Sequence, residues 1–232
     1  MRKFGPIVFK EDYENEEEDL SSFGPTKAMG NLTARSIKTM GPLTVSGNLT
    51  ADTIRTNGPL IVDEDLVAEE IKVNGPAEIG GSVQVVIGHF NGPFTVDHSV
   101  NADDSLKVNG PFEAKTLEGG FLAINGPVYV EGTIVAIDEI IIGISSRSRG
   151  DPIQAKLLKA PFVEIRARRK FLGRIMRRFA SGQSEKHKRL LIETDVPIEA
   201  DEVVLDGVRH TGKILAKNII LENGAEYIGN SE

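Results

Sequence analysis

The stretch GPLTVSGNLTADTIRTNGPLIVDEDLVAEEIKVNGP, residues 41–76, decides the fold because it contains one sequence unit twice. Each unit opens with Gly-Pro and runs for about 17 residues. The dipeptide recurs on both sides of this stretch at nearly the same interval, in units that begin at Gly24, Gly41, Gly58, Gly75, Gly92, Gly110 and Gly126. A period this short and this regular predicts one turn of a coiled β-structure per unit.

Within each unit, apolar residues alternate with polar ones, as in strands that bury one face. In the unit at Gly41 the alternation covers residues 43–45, and the pattern Leu-x-Ala-x-x-Ile follows over residues 49–54. Three short strands per unit, separated by tight turns, predict a three-sided β-solenoid with about 17 residues per coil. The Asn-Gly-Pro triplets supply one corner, where stacked asparagines are expected to hydrogen-bond through their amides.

The phase of the repeat can be followed past the last Gly-Pro. Steps of one unit from Gly126 predict corners at Gly143 and Ala160, and Gly207 and Gly224 are again one unit apart. The interval that precedes Gly207 is too long for one coil, which predicts an insertion. We therefore expect about eleven coils, organised as a leader over residues 1–23, a first part of the solenoid over 24–165, an insertion over 166–189 and the last coils over 190–232.

The net charge of −7 is distributed unevenly along the chain. The insertion holds ten basic residues and a single acid, Glu185. Acidic residues are densest over residues 11–19 of the leader, a composition typical of disordered segments. We therefore expect a largely disordered leader, in which residues 5–9 resemble one detached repeat strand able to add to a sheet edge.

The insertion is predicted to contain a basic amphipathic helix over residues 169–180. The residues expected to contact a membrane or a partner are Arg169, Phe171, Leu172, Arg174, Ile175, Met176, Arg178 and Phe179. Three interpretations stay open: packing on the flank of the solenoid, contact with an anionic membrane surface, and binding of an acidic protein or a nucleic acid. Nucleic acid is the least supported partner, because no residue pattern in this segment reads bases.

The composition argues against catalytic chemistry. The chain has no cysteine, which excludes disulfides, thiolate zinc sites and a cysteine nucleophile. Its four histidines do not share a metal-binding spacing, and we expect no catalytic, cofactor or metal site and no small-molecule substrate. Solenoid transferases built from six-residue units fit the observed period poorly. Because the sequence shows neither a secretory signal nor a long apolar run, a cytoplasmic location is expected.

The short coils, the Leu-x-Ala-x-x-Ile pattern and the Asn-Gly corners resemble those of the bactofilins, also described as polymer-forming cytoskeletal proteins. The resemblance covers residues 24–230 apart from the insertion. It implies a right-handed three-sided β-helix that stacks end to end into nucleotide-independent filaments and acts as a scaffold at the inner face of the cell membrane. The Gly-Pro corner in nearly every coil and the interruption after Pro161 depart from the family pattern.

Self-assembly is also expected from the ends of such a rod, since the first and last coils expose unpaired backbone groups and an apolar cross-section. The residues expected at these contacts are Leu32, Ala34 and Ile37 at one end and Ile219, Leu221, Tyr227 and Ile228 at the other. The alternative is a β-helical binding module, a monomer or a small oligomer, that presents one sheet face to a protein or an acidic ligand.

Overall fold

The computed structural model describes residues 2–145, 151–168 and 191–229. Every regular element in these residues is a β-strand, and neighbouring coils pair their strands in parallel. The chain forms a parallel β-solenoid of about 11 turns with about 17 residues per coil. The predicted all-β architecture and its period are therefore confirmed.

Most coils contribute one short strand and one long strand; the long strands stack into one sheet and the short strands into two. A 9-stranded sheet contains the short strands β2 (Ile7–Phe9), β4 (Thr26–Ala28), β6 (Leu43–Val45), β8 (Leu60–Val62), β10 (Ala77–Ile79), β12 (Phe94–Val96), β14 (Phe112–Ala114), β16 (Val128–Val130) and β18 (Ile153–Gln154). A 3-stranded sheet contains the remaining short strands, β21 (Ile192–Thr194), β23 (Val208–His210) and β25 (Glu226–Tyr227).

The long strands form a 13-stranded sheet. Its members are β1 (Arg2–Lys3), β3 (Tyr13–Ser22), β5 (Leu32–Thr39), β7 (Leu49–Thr56), β9 (Leu66–Val73), β11 (Val83–Phe90), β13 (Ser99–Val108), β15 (Thr116–Ile124), β17 (Thr133–Ser145), β19 (Leu157–Lys159), β20 (Phe162–Arg168), β22 (Ile198–Asp206) and β24 (Ile214–Glu222). One coil divides its long strand into β19 and β20, both of which pair with β17 and β22.

Each long strand corresponds to two of the three strands predicted per unit. In β5, Leu32 and Ala34 are buried, and then the alternation changes phase so that Ile37 and Thr39 are buried next. Arg35 and the residue after it lie at this change of phase and point away from the core. The same pattern recurs in β7 and β9, so one bend per long strand turns both halves of the Leu-x-Ala-x-x-Ile pattern inward.

The Asn-Gly-Pro corner is held together by stacking between coils. Five asparagine amides form a continuous ladder of four hydrogen bonds, in which an Nδ2 donates to the Oδ1 of the preceding coil over 2.7–2.9 Å. The ladder contains Asn57, Asn74, Asn91, Asn109 and Asn125. Glycine is required next in the sequence because successive backbones approach closely. A Cβ atom on Gly110 would lie 2.3 Å from the carbonyl oxygen of Gly92. The predicted asparagine ladder is therefore confirmed.

Residues 1–23 were predicted to be a largely disordered leader, but they contain strands of the 13-stranded sheet and of the 9-stranded sheet. Strand β2 pairs with β4, and β3 pairs with β5. Between Asn15 and Asp19 the register shifts, so that three residues stand where β5 has only Arg35. This irregularity, which we call the acidic bulge (residues 14–19), keeps the carboxylates outside while Tyr13 and Leu20 continue the core columns. The acidic segment therefore forms a coil that is longer than its neighbours, and the prediction of a largely disordered leader differs from the structure here.

The repeat phase beyond Gly126 also differs from the prediction. Gly143 lies inside β17, paired with Arg166, and does not form a corner. The corner is formed by the Asp151-Pro152 dipeptide, since the N–H of Val128 donates to the carbonyl oxygen of Pro152 at 2.9 Å. The extra length of this coil delays the corner, which a count at a fixed period cannot anticipate. The predicted corner at Ala160 falls instead between β19 and β20.

The last coils have the regular stacking of the earlier ones. Strands β22 and β24 pair in register, and Gly207 and Gly224 have positive φ angles of 65° and 78° that suit glycine at a corner. The predicted basic helix over residues 169–180 lies outside the described residues. The described part of the chain contains no helix with the length and apolar character needed to cross a bilayer.

Candidate assembly surfaces

The two ends of the solenoid are the candidate functional surfaces, and they differ in chemistry. At the N-terminal end, the residues predicted for assembly are not at the surface. Leu32, Ala34 and Ile37 are fully buried, because β3 pairs with the strand that carries them. The terminal surface therefore lies one coil further out than predicted.

The first coil closes its own interior with aromatic side chains. Phe9 and Tyr13 lie with their ring centroids 4.5 Å apart and pack against the core. Tyr13 donates its hydroxyl hydrogen to Glu18, and this hydrogen bond to the carboxylate raises the pKa of Tyr13 above its ordinary value. In the next coil the register partner of Phe9 is Ala28, so the ring of Phe9 supplies more volume than the residue that follows it in the same column. Phe9 and Tyr13 are only partly buried, so the N-terminal end keeps part of its apolar cross-section exposed.

The C-terminal coil leaves its inward side chains uncovered. Ile219 and Leu221 lie in register on Val203 and Leu205, in the same two inward columns. Val203 and Leu205 are 0% exposed, whereas Ile219 is 39% and Leu221 49% exposed. Ile228, also predicted for this surface, is exposed. The difference arises from position in the stack, because β22 is the only described strand that pairs with β24.

Tyr227, the remaining predicted residue at this end, is partly buried and has a structural role. Its hydroxyl oxygen accepts the N–H of Ile214 at 3.3 Å, and its ring stacks on that of His210. Arg209 pairs with carboxylates of both adjacent coils, Glu193 at 3.3 Å and Glu226 at 2.8 Å. These contacts link the last three coils, and they define a firm base for the exposed apolar surface.

A group of titratable residues lies beneath this surface. Burial lowers the pKa of His210 to about 4, against the opposing charge of Asp195. Burial also raises the pKa of Asp151 to about 6, with a further contribution from the hydrogen bond and charge of Asp195. No cluster of three or more metal-binding side chains occurs in the residues that the structure describes. Nothing in the sequence pattern marks the buried position of His210, since it appears in a late turn-rich region.

The residues predicted to contact a membrane, Arg169 through Phe179, lie outside the described ranges. The described chain enters this segment from β20 and leaves it into β21. The segment therefore occupies the connection between a long strand and the following short strand, the same connection at which other coils have the Asn-Gly corner. Comparison with known proteins gives no match: no family model, no curated protein and no solved structure matches this chain.

Proposed function

We propose that this chain is a non-enzymatic structural rod that assembles end to end into filaments without a bound nucleotide and serves as a cytoskeletal scaffold. The single observation that supports it most is the exposure of Ile219 and Leu221 in columns that are closed everywhere else. Apolar area of this kind is stabilised when a neighbouring coil covers it. A second rod offers the coil that is missing.

Unpaired backbone groups at the ends of the rod also favour end-to-end assembly. Among the described strands, β24 pairs only with β22 and β25 only with β23, so one edge of each strand has no described neighbour. At the other end of the rod, the single partner of β2 within the described ranges is β4. Free strand edges favour the addition of further strands, and parallel rods without polar caps favour continued stacking. The C-terminal coil supplies apolar contact and both ends supply hydrogen-bonding groups.

The finer geometry belongs to the same proposal. We infer a three-sided coil from the single bend in each long strand, and a right-handed winding of the kind found in the bactofilins that the sequence resembles. The basic segment over residues 166–189 holds the rod at the inner, anionic face of the cell membrane, with its apolar residues in the headgroup layer. The assembly partner is another copy of the chain, and no small molecule takes part.

End-to-end assembly is tested with charges placed on the two faces of β24. Ile219→Lys with Leu221→Lys puts charge into the exposed core columns, whereas Leu215→Lys with Ile220→Lys puts equal charge on the outward face of the same strand. In negative-stain microscopy without nucleotide, we expect filaments for the wild type and the outward variant and isolated rods for the inward variant. Wild-type rods that stay monomeric at all salt concentrations contradict the proposal.

Membrane association is tested separately by co-sedimentation with liposomes that contain anionic lipid. The wild type is expected to sediment with these liposomes at low salt, and Phe171→Glu is expected to reduce the bound fraction because it places a charge on the apolar face of the predicted helix. Ser181→Glu, in the segment that follows, supplies a control with the same change in charge. Binding that does not depend on lipid contradicts this part of the proposal.

A further inference from the structure

One outward column of the long strands carries a cationic or titratable nitrogen side chain in five successive coils. We call it the basic row, and its members are Lys38, Arg55, Lys72, His89 and Lys107. They are register partners of one another, so neighbouring members are separated by the inter-strand spacing. At about 4.8 Å per coil the row extends over about 19 Å along the rod.

Much of this charge is not neutralised within the chain. Arg55 pairs with Glu70 at 3.1 Å. Lys38 and Lys72 have no carboxylate within ion-pair distance among the described residues, and Lys107 lies over the ring of Phe121 at 5.6 Å. The pKa of His89 is lowered by its burial and then by the charges of Lys107 and Lys72, which outweigh the opposing charge of Glu70. The row therefore forms a positive surface on an acidic protein.

The acidic bulge is the complementary feature on the same molecule. Its residues Glu14, Glu16 and Glu17 are exposed and have no ion-pair partner in the described part of the chain. The bulge lies at the bend of the first coil, opposite Arg35 in β5 of the next coil. Lys38, the first member of the basic row, follows Arg35 by three residues on the same strand. The bulge therefore borders the face that carries the basic row.

We propose that two rods pair side by side and antiparallel about a two-fold axis, with the acidic bulge of each rod against the basic row of the other. A two-fold axis makes every contact twice, so the interface contains two copies of the same contact between bulge and row. An in-register parallel pair would instead place bulge against bulge, which like charges disfavour. Pairing of this kind lies on the side of the rod and leaves the C-terminal coils free, so it goes beyond the proposed function and does not depend on it.

Other polyanions fit the basic row less well. Single-stranded nucleic acids bind where exposed aromatic rings alternate with cations, and here the column on one side of the row is the neutral asparagine ladder. An anionic bilayer would meet a positive strip only one side chain wide, with Glu70 beside it. A second copy of the chain carries several carboxylates on one short segment, the acidic bulge. This partner is always present at the concentration of the protein itself.

The test uses charge reversal in the full chain that carries Ile219→Lys and Leu221→Lys, so that end-to-end contact is blocked. The row variant adds Lys38→Glu, Lys72→Glu and Lys107→Glu, and the bulge variant adds Glu14→Lys, Glu16→Lys and Glu17→Lys. By sedimentation velocity at low salt, we expect a dimer for the parent chain and monomers for either variant alone, with dimerisation weakened by about tenfold or more. An equimolar mixture of the two variants is expected to regain the dimer, because each row then meets a bulge of opposite charge.

A matched control reverses three exposed lysines elsewhere, Lys10→Glu, Lys27→Glu and Lys115→Glu, and is expected to keep the parent dimer. Circular dichroism checks that each variant is folded. A parent chain that is monomeric at low salt overturns the proposal, as does a mixture that stays monomeric. A row variant that loses binding to an oligonucleotide or to anionic vesicles while its dimer persists also overturns it, since the row then serves another polyanion. Filament formation measures end-to-end contact, whereas dimerisation of the end-blocked chain measures side-by-side contact. Either proposal can therefore fail without the other.

Discussion

The Nδ1 atom of His210 lies 2.8 Å from the Oγ1 atom of Thr194 in the adjacent coil, and both side chains are buried. The burial of His210 makes the last coils sensitive to acid. Because burial lowers the folded-state pKa of His210 to about 4 from 6.5, the folded chain holds the imidazole neutral where the unfolded chain protonates it. The stability contributed by neutral His210 is fully present above about pH 6.5 and is lost as the pH falls towards 4.

Asp151 acts in the opposite direction. Its folded-state pKa is raised to about 6, so its contribution is fully present below about pH 3.8 and is lost as the pH rises through 6. We expect His210→Gln to remove the loss of stability that acid causes through His210. The unfolding temperature of this variant is expected to rise between pH 6.5 and about 4, because Asp151 then acts alone. The unfolding temperature of the wild type is expected to rise less or to fall over the same range. Thermal melts across this range measure the difference. Equal pH slopes for the two proteins contradict the assignment.

The glycine corner provides a second prediction, because one position of the column has no coil beneath it. A Cβ on Gly110 meets the backbone of Gly92, whereas a Cβ on Gly5 meets nothing within 4 Å. We expect Gly110→Ala to destabilise the rod by about 1–3 kcal/mol, the range for overpacked sites, since the backbones of two coils must separate. Gly5→Ala is expected to change stability by less than about 0.5 kcal/mol. Urea denaturation followed by circular dichroism compares them, and equal losses would refute the stacking argument.

The sequence predicted the repeat well where each coil keeps one length. The Gly-Pro period and the inward columns gave the parallel solenoid, and the asparagine ladder followed from stacking the same residue in successive coils. The prediction failed where a coil changes length, because counting cannot show where extra residues are placed. The acidic bulge adds its residues at the bend of β3, and the corner after β17 is delayed to Pro152.

Surfaces formed by position in the stack were harder to predict. Ile219 and Leu221 were identified because they continue inward columns close to the chain end. Leu32 was misplaced, since the coil that covers it was assigned to a disordered leader. The basic row escaped notice because its members lie far apart in sequence, and only the register between coils brings them into one line.

The aromatic cluster in the middle of the rod gives a third prediction. Phe94 stacks on Phe90 with ring centroids 3.7 Å apart and contacts Phe112 at 5.5 Å, and all three rings are buried. Phe94→Ala is expected to cost about 3–5 kcal/mol because it leaves a cavity between coils. Phe94→Leu is expected to cost less than half as much, because the same column of the 9-stranded sheet holds a buried leucine, Leu60, two coils away. Chemical denaturation measures both, and similar losses would show that the cluster relaxes around the cavity.

The acidic bulge itself can be removed, which gives the fourth prediction. Deleting Glu16 and Glu17 leaves one residue between Asn15 and Asp19, the number that β5 has opposite them in Arg35. We expect the shortened coil to fold in the same register and to be at least as stable as the parent, because exposed like charges are removed and the core residues Tyr13 and Leu20 keep their places. Thermal melts measure stability, and sedimentation velocity of the end-blocked chain measures pairing. The deletion is expected to weaken the side-by-side dimer while preserving the melting midpoint, so a lower midpoint would show that the bulge supports the fold of the first coil.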